Sequence, residues 1–549
     1  MRAREQTITR RAFLTVPTAL AVSGATLPQS ARAFEAFDPA KSVNLAKAAM
    51  LSARHCAHHG FISFGWLPRP FEADLLLDDP TLVGDVAMRA AEVISRPKFD
   101  LNDFSKLELV ATPKLKHGDR RIWAIAEPQD AVAYLALAVL AAPLIEARRI
   151  PSNDNVVHSW RFSAGRHRLF DEKYTLASFG AAARRRAEAG GFVVNCDLAN
   201  CYGNLGGERI ATALEHCGVP GWQVDYISQL LNFWRLEDSP GLPVGPNASR
   251  ILAESVLLQI DDRLRDAGIE YVRYVDDFRL FAADETGAHQ ALEAVSDAAA
   301  SQGLTLNADK TMILNFAEAT ADDDPQSKAL KHQYQLLVQA GTDGFNDGLP
   351  LSTKRAEAGE IRALRGAHDA AEAGSFLQTE IASPLTLARA IRRAIYAEDG
   401  DFLRMLPQLM ARYPEIIAYA CSALTPASDL VAADVRDHLR VELASMMLDP
   451  ATPDFAAVRL IEVLSHPDFR DRTTLERFVK VRAYKPRGVA FRAALDALRN
   501  TGGVLPELID CFEEMDGWGR RALLADPMLR PSISYSSANL DLIAAKLVV

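Results

Sequence analysis

Three aspartates beside short apolar segments constrain most strongly what this chain can fold into. The mostly apolar run of residues 191–196 has the character of a buried strand and is followed directly by Asp197. Asp276 and Asp277 lie between two aromatic-rich β-type runs, residues 270–274 and 278–281. This pattern predicts a hairpin with both aspartates at its tip. Because neighbouring strands lie about 4.8 Å apart, we expect the three carboxylates to converge on one sheet.

Converging carboxylates suggest a metal site. They repel one another unless a cation balances them, and carboxylate oxygens are ligands that Mg²⁺ prefers. Two Mg²⁺ ions about 3.5–4 Å apart can promote in-line displacement at phosphorus. The sequence therefore predicts an Mg²⁺ site, with Mn²⁺ as an alternative ion. A second acidic pair, Asp261-Asp262, is interpreted as the end of a helix.

Further motifs surround these aspartates in a fixed order. Upstream are a basic segment at residues 114–130 and Ser-Trp-Arg-Phe at 159–162. The others are Val-Val-Asn-Cys-Asp-Leu-Ala-Asn-Cys-Tyr at 193–202, Gly-Leu-Pro-Val-Gly-Pro-Asn-Ala-Ser at 241–249, Tyr-Val-Asp-Asp at 274–277 and Gly-Leu-Thr-Leu-Asn-Ala-Asp-Lys-Thr at 303–311. In this order and spacing they resemble the motifs of reverse transcriptases. The resemblance implies α+β polymerase fingers and palm, and RNA-directed DNA polymerase (nucleotidyltransferase) activity on dNTPs with RNA or DNA partners.

The resemblance also assigns roles to individual residues. Asp197, Asp276 and Asp277 would be the catalytic metal ligands, and the backbone carbonyl of Leu198 a further ligand. Tyr202 would stack under the sugar and exclude a 2′-hydroxyl, although a core tyrosine is the alternative.

Four more residues are candidates for binding the substrate. Arg121 and Arg161 would contact phosphates, because guanidinium groups make bidentate phosphate contacts. Lys310 would approach the leaving pyrophosphate, and Gly245 would allow close approach to the nucleotide. A surface role is the alternative for the arginines and the lysine.

Two residues differ from those that many reverse transcriptases carry, and they narrow the resemblance to one group of these enzymes. Val244 occupies a position where retroviral and intron enzymes usually carry glutamine, and Glu254 one where many relatives have asparagine. The motif Leu-Pro-Val-Gly-Pro-Asn-Ala-Ser-Arg-Ile-Leu-Ala-Glu at 242–254 is instead similar to abortive-infection and defence-associated bacterial reverse transcriptases. That similarity implies antiphage defence, and DNA synthesis that is template-independent or primed by a protein hydroxyl.

The chain divides into four predicted segments. Residues 1–33 resemble a twin-arginine signal or a mis-assigned start, residues 34–110 form an N-terminal extension, and residues 111–325 hold fingers and palm. Residues 326–549 show helical periodicity throughout and predict an all-α helical-repeat (HEAT-like) domain that offers a surface for a protein partner or a second copy. The helices predicted there cover residues 384–396, 400–412, 434–448, 455–464 and 489–499.

Charge and hydropathy bear on partners and location. The net charge is −10, yet residues 106–190 contain 14 Lys and Arg against 9 Asp and Glu, which suits contact with a phosphate backbone. After the N-terminal segment no apolar run is expected to approach the ~20 residues that span a bilayer, so no membrane partner is predicted. The segment His-Cys-Ala-His-His-Gly at 55–60 is interpreted as a helix or loop without metal.

Alternatives remain open at this point. One is a conventional RNA-templated enzyme of the retron or intron kind. Another is an inactive polymerase fold that only binds nucleic acid, which three mutually repelling carboxylates argue against. We favour a cytoplasmic location because dNTPs are made there, and export is the alternative that Arg10-Arg11 supports.

Overall fold

The computed structural model describes residues 39–62, 69–113, 120–235, 241–315, 400–533 and 541–548, together with single positions between 387 and 399. Outside the described residues lie the signal-like segment 1–33, the helix predicted at 384–396 (apart from single positions) and residues 114–119 of the basic segment 114–130. Elements are numbered over the described part of the chain.

Helices precede and flank the strands in the first half of the chain. The helices are α1 (Pro39–His59), α2 (Phe71–Asp78), α3 (Pro80–Ser95), α4 (Pro128–Arg148), α5 (Leu176–Ala187), α6 (Cys201–Asn204), α7 (Gly207–His216), α8 (Gly221–Phe233), α9 (Asn247–Asp266) and α10 (Glu285–Ser301). The strands are β1 (Glu108–Pro113), β2 (Arg120–Ile125), β3 (Phe192–Asp197), β4 (Glu270–Tyr274), β5 (Asp277–Ala282) and β6 (Met312–Asn315).

A four-stranded antiparallel sheet carries the three aspartates. Its strand order is β4-β5-β3-β6, and a separate hairpin pairs β1 with β2. Side chains alternate between the two faces of a strand. Val194 and Cys196 of β3 and Phe278 and Leu280 of β5 are buried on the face that contacts α9 and α10. The opposite face therefore presents the alternate positions, which include Asp197.

The first residues of the last motif, 303–306, predict the start of a strand, and this prediction was wrong. Residues 303–306 do not form a strand; Leu306 makes a single bridge with Leu198, and the strand is β6. Gly303 has a φ of +63° immediately after α10, and residues 308–310 form a 3₁₀ turn, so the chain bends twice before it can pair.

Helix α4 is an exception to the prediction that no apolar run after the N-terminal segment approaches the length that spans a bilayer. By length and composition this 21-residue helix could cross a membrane. However, 72% of its most apolar window is buried inside the protein, where it packs against α1, α3 and α9. A core helix passes the same test, so this feature is weak evidence for a membrane span.

The described part of the second half is helical. Its helices are α11 (Gly400–Arg412), α12 (Ile417–Leu424), α13 (Ala433–Leu448), α14 (Asp454–Ser465), α15 (Arg472–Arg482), α16 (Val489–Asn500), α17 (Gly517–Leu524) and α18 (Leu542–Val548). Four of the five predicted helices are confirmed within about one residue. Sequential helices contact one another, as α13 does α14 and α15 does α16, and no strand occurs in residues 400–533 or 541–548.

A buried arginine joins the two halves. The side chain of Arg521 on α17 is 2% exposed and pairs with three carboxylates. Its partners are Glu72 of α2 at 3.0 Å, Glu127 just before α4 at 2.8 Å, and Asp541 just before α18 at 2.6 Å. The guanidinium also lies 4.8 Å from the ring centroid of Trp518. Arg521 thus ties the C-terminal helices to the N-terminal helical layer.

We expect Arg521→Met to lower the free energy of unfolding by roughly 3–5 kcal/mol, because Glu72 is fully buried and would lose its cation. Urea unfolding followed by circular dichroism measures this loss. The control is Arg265→Met, which removes an exposed ion pair with Asp262 and should change stability by less than about 0.5 kcal/mol. Equal effects of the two substitutions would contradict a structural role for Arg521.

Candidate metal centre and catalytic site

Sheet register brings the three aspartates together. Asp197 is the last residue of β3 and lies directly opposite Asp277, the first residue of β5. Asp276 occupies the turn between β4 and β5. One carboxylate oxygen from each of the three lies within 4.8 Å of the others. The predicted convergence is therefore confirmed, and it follows from antiparallel pairing that aligns two strand ends.

Backbone hydrogen bonds fix the segments around the cluster. The amide of Leu198 donates to the carbonyl of Asp276 at 3.0 Å. The amide of Ala199 donates to the carbonyl of Thr305 at 2.8 Å, and the amide of Asn307 donates to the carbonyl of Asp197 at 2.7 Å. Three motifs that are distant in sequence are thus joined at the cluster. The use of the Leu198 carbonyl as a metal ligand stays a prediction.

Two side chains from the last motif contact Asp197. The ammonium of Lys310 lies 2.9 Å from Asp197 Oδ2, and Asn307 Nδ2 lies 3.3 Å from the same oxygen. The Lys310 side chain is 58% exposed, so its ammonium could reach a ligand above the cluster. The structure therefore places Lys310 at the site as predicted. Asn307 was missed, although it lies in the same Asn-Ala-Asp-Lys segment.

The cluster carries excess negative charge. Burial, together with the charge of Asp197, raises the pKa of Asp276 from 3.8 to about 6. Burial and the same neighbour also raise the pKa of Asp277. In both cases the ionised form is disfavoured, because burial removes hydration and neighbouring carboxylates repel one another, which Lys310 and, at Asp277, Arg279 offset only in part.

These residues fit a divalent cation. Mg²⁺ and Mn²⁺ take hard oxygen ligands, and the three carboxylates supply oxygens from adjacent strands. A divalent ion would also relieve the repulsion that raises the pKa of Asp276 and Asp277. In the described part of the chain, no other group of His, Cys, Asp and Glu side chains offers three ligand atoms this close together.

The Tyr202 segment and the Gly-Pro loop are held against each other. The amide of Leu242 donates to the carbonyl of Tyr202 at 2.9 Å. A Cβ on Gly241 would overlap that same carbonyl oxygen, so only glycine permits this approach. Tyr202 is partly buried, and burial raises the pKa of its hydroxyl. Tyr202 lies close enough to the cluster for the charge of Asp276 to act on its hydroxyl, and its contact with a sugar stays a prediction.

Protein packing accounts for the glycine at position 245. Gly245 has a φ of +126°, and a Cβ there would lie 2.7 Å from Ile62 Cγ2. The carbonyl of Val244 also accepts a hydrogen bond from the amide of Ala124 on β2 at 2.9 Å. The loop is therefore fastened to the β1–β2 hairpin. Close approach of a nucleotide to Gly245 stays a prediction.

The two predicted arginines differ in their surroundings. Arg121 is exposed on β2, with its guanidinium 5.6 Å from the ring centroid of Trp123, so it is accessible to a phosphate. Arg161 is instead buried; it pairs with Glu146 at 3.2 Å and donates to the carbonyl of Ile150 at 2.5 Å. This geometry argues against a phosphate contact by Arg161, because a buried, paired guanidinium does not reach a ligand from solvent.

The sequence interpretation missed Arg250. Its guanidinium lies 3.9 Å from the ring centroid of Trp160 and donates to Asn247 Oδ1 at 2.9 Å. Burial lowers the pKa of Arg250, and its charge acts on Tyr202 and Tyr274. The sequence offered one signal for Arg250: it directly follows Ser249, at the end of the motif that contains the Gly-Pro loop.

The histidine segment forms the end of α1, in agreement with its interpretation as a helix or loop. His55 is buried, and its Nδ1 lies 3.0 Å from the carbonyl of His167. Its Nε2 lies 2.6 Å from Asn247 Nδ2. His55 thus joins α1 to the start of α9, next to Arg250, which gives it a structural function.

Comparison with known proteins agrees with this site. A family model described as reverse transcriptase (RNA-dependent DNA polymerase) matches residues 157–338, which include all three aspartates. Residues 157–338 of this chain are thus similar to the reverse transcriptase family. The match confirms the α+β reverse-transcriptase-like fold class, and the described C-terminal region is helical as expected. That this region is built from repeats stays a prediction.

Solved structures and curated proteins add little to the reverse transcriptase match. Among similar structures is telomerase from Candida albicans in complex with the TWJ fragment of telomeric RNA. The sequences are 13% identical, the match covers 80% of this chain and 64% of the telomerase chain, and the TM-score is 0.27. This chain therefore spans less than two thirds of the telomerase chain. No curated protein matches the sequence.

Metal binding at the cluster of three aspartates should depend on pH. Because the pKa of Asp276 is about 6, protons compete with a divalent cation below that pH. We expect the affinity for Mn²⁺ to be constant above about pH 7.5 and to fall about tenfold for each pH unit below about pH 6. Mn²⁺ titration followed by electron paramagnetic resonance measures it. An affinity that is unchanged from pH 8 to pH 5 would show that Asp276 is not a ligand.

Removing the charge of Asp276 should stabilise the metal-free protein. A folded-state pKa above 3.8 means that ionisation opposes folding, so the cost is full above about pH 6 and disappears as the pH falls towards 3.8. We expect Asp276→Asn to raise the free energy of unfolding by roughly 1–3 kcal/mol at pH 8 and by less at pH 5. Thermal unfolding at both pH values tests this, with Asp262→Asn as the control. A destabilised Asp276→Asn variant at pH 8 would refute the proposed repulsion.

Proposed function

We propose that this protein is an RNA-directed DNA polymerase that extends a primer with dNTPs by metal-dependent nucleotidyl transfer. The observation that carries the proposal is the convergence of three carboxylates within 4.8 Å inside the segment that matches the reverse transcriptase family. Nucleic acid, RNA or DNA, and dNTPs are the partners that this activity requires.

In this proposal Asp197, Asp276 and Asp277 hold Mg²⁺ or Mn²⁺. Bound in pairs, such ions activate a primer 3′-oxygen and stabilise the leaving pyrophosphate. Lys310 lies 2.9 Å from Asp197 and is partly exposed, so it can turn towards the negative charge of the leaving group. The anchored backbone of Leu198 and Asn307 keeps the carboxylates in place while substrate enters.

The substrate is proposed to lie between the metal centre and the β1–β2 hairpin, which carries Arg121. Tyr202 lies on the Gly-Pro loop side of the cluster and is proposed to contact the sugar. Arg121, exposed on β2, is proposed to contact phosphates. Arg250 is a further candidate, because its partly buried guanidinium is stacked on Trp160 near Tyr202 and its charge is weakly screened by water.

We further propose that the polymerase acts in antiphage defence in the cytoplasm. Support comes from the sequence at 242–254, with Val244 and Glu254, and from the helical C-terminal region that follows the polymerase domain. The same resemblance favours DNA synthesis that is independent of a supplied template or primed by a protein hydroxyl. The C-terminal helices are proposed to bind a protein partner or a second copy of the chain.

Polymerisation by the purified full chain tests the function. Labelled dNTPs and Mg²⁺ are supplied with and without an RNA template and primer, and products are separated under denaturing conditions. We expect wild-type protein to make DNA, and the variant Asp276→Ala/Asp277→Ala to lose at least about a thousandfold in rate, because removal of metal ligands removes charge stabilisation at the reacting phosphate.

A control substitution tests the site, and the dependence on template distinguishes the two kinds of polymerase. Asp262→Asn changes a partly buried carboxylate outside the cluster and should leave the rate unchanged. Product without template, some of it still attached to protein after denaturation, supports the defence type. Product only with an RNA template supports a conventional retron-like enzyme. Product of equal yield from the Ala/Ala variant would overturn the assignment of the site.

A further inference from the structure

The arginine that precedes the Tyr-Val-Asp-Asp turn is completely buried. Arg273 is the fourth residue of β4 and has 0% exposed side chain. A guanidinium has five N–H donors, and here all five are used. Nε and Nη2 donate to Asp261 at 2.9 and 2.6 Å, Nη2 and Nη1 donate to Glu254 at 2.9 and 3.4 Å, and Nη1 donates to the carbonyl of Val275 at 3.1 Å.

The two carboxylates come from one face of α9. Glu254 and Asp261 are seven residues apart, about two helical turns, and neither side chain is more than 2% exposed. Glu254 also accepts from Ser159 Oγ at 2.7 Å and pairs with Arg149 at 3.0 Å. Two arginines and two carboxylates therefore form a balanced buried network. Asp261, interpreted from sequence as a plain helix end, is in fact a core member of it.

The turn that Arg273 contacts is strained. Val275 has a φ of +56°. A β-branched residue in this left-handed region is a genuine outlier, and such backbone persists only where surrounding contacts hold it. The bond from Arg273 to the Val275 carbonyl is a contact of this kind. The next residue is Asp276, so the orientation of this peptide group sets the direction of a candidate metal ligand.

The backbone of Arg273 is also fixed. Its amide donates to the carbonyl of Val156 at 2.8 Å, and its carbonyl accepts from the amide of His158 at 2.9 Å. The strand that carries Arg273 is therefore held by backbone hydrogen bonds, and the guanidinium is held by the two carboxylates of α9. A rigid group of this kind can hold a neighbouring peptide in an unfavourable conformation.

We propose that Arg273, held by Glu254 and Asp261, is a positioning residue that keeps the strained Val275–Asp276 turn in the conformation that directs Asp276 towards the metal centre. The link to metal binding rests on the proposed function, whereas the effect on the turn does not. A buried ion network that only stabilised the fold would act on the whole domain, but a positioning network acts first on residues 274–278.

Hydrogen exchange measured by mass spectrometry on the full chain tests the proposal. In Arg273→Lys the charge remains but the fork geometry and the bond to Val275 are lost. We expect exchange at the amides of residues 274–278 to become about tenfold faster or more, with little change elsewhere in the sheet. Glu254→Gln removes a charged partner of Arg273 but leaves Arg273 itself unchanged. It should give a smaller change at the same amides. It also provides the test if Arg273→Lys does not fold.

The matched control is Arg459→Lys, which alters another buried arginine, paired with Glu462 on α14. This substitution should leave exchange at residues 274–278 at the wild-type rate. Wild-type exchange at these amides in both Arg273→Lys and Glu254→Gln would overturn the proposal, as would an equal effect of Arg459→Lys.

Relief of strain gives a second readout. Glycine adopts a positive φ without steric cost, so Val275→Gly should restore slow exchange, at least in part, in the Arg273→Lys background. A stability role alone predicts no such rescue. A double variant that exchanges as fast as Arg273→Lys would therefore overturn the proposal.

Metal binding separates this proposal from the proposed function. We expect Arg273→Lys to weaken Mn²⁺ binding about 10–100-fold, as loss of a group that orients a ligand typically does, and Arg459→Lys to leave it unchanged. If wild-type protein binds no Mn²⁺ or makes no DNA, the proposed function fails while hydrogen exchange still decides the role of Arg273. If wild-type protein binds Mn²⁺ and makes DNA but the hairpin amides of the variants do not change, only the positioning proposal fails.

Discussion

Antiparallel pairing between β3 and β5 is the constraint on which the candidate site depends. It sets Asp197 directly opposite Asp277 at matching strand ends, and the β4–β5 turn adds Asp276. A slip of one residue would turn one of the paired aspartates towards the α9–α10 face, because side chains alternate between the faces of a strand. The apolar residues on that face, Val194 and Phe278 among them, therefore fix the register that the carboxylates require.

This register is electrostatically unfavourable in the absence of a cation. Lys310 pairs directly with Asp197 alone, and burial next to Asp197 raises the pKa of Asp276. The fold supplies the compensation elsewhere, in the apolar face of the sheet and in backbone hydrogen bonds from Leu198 and Asn307 that tie three segments together. Stability and function are in opposition here: a site that binds a divalent cation well must hold its ligands close before the cation arrives.

Two buried arginines connect the site to the rest of the protein, one next to the sheet and one between the two halves of the chain. Arg273 lies within the sheet domain and joins α9 to the turn that carries Asp276. Arg521 lies in the C-terminal region and joins it to α2 and to the start of α4, a helix that packs against α9. Contacts therefore run from the C-terminal helices to the helix that supports the turn. The C-terminal region is therefore joined to the part of the chain that carries the sheet through packed helices and buried ion pairs.

The sequence alone determined the local elements and the identity of the three carboxylates. A mostly apolar run predicted β3, aromatic-rich runs predicted β4 and β5, and helical periodicity predicted helices in the C-terminal region. The positions of Asp197, Asp276 and Asp277 at the ends of these runs predicted that they converge. These features depend on short-range patterns, which a single sequence displays directly. Burial and pairing were decided by tertiary structure: Arg161 faces Glu146 rather than solvent, and Asp261 and Glu254 hold Arg273. Arg250 lies on Trp160, which is distant in sequence. A charged residue has the same sequence signature whether it meets a substrate, water or a buried partner, and only the folded chain decides among these environments.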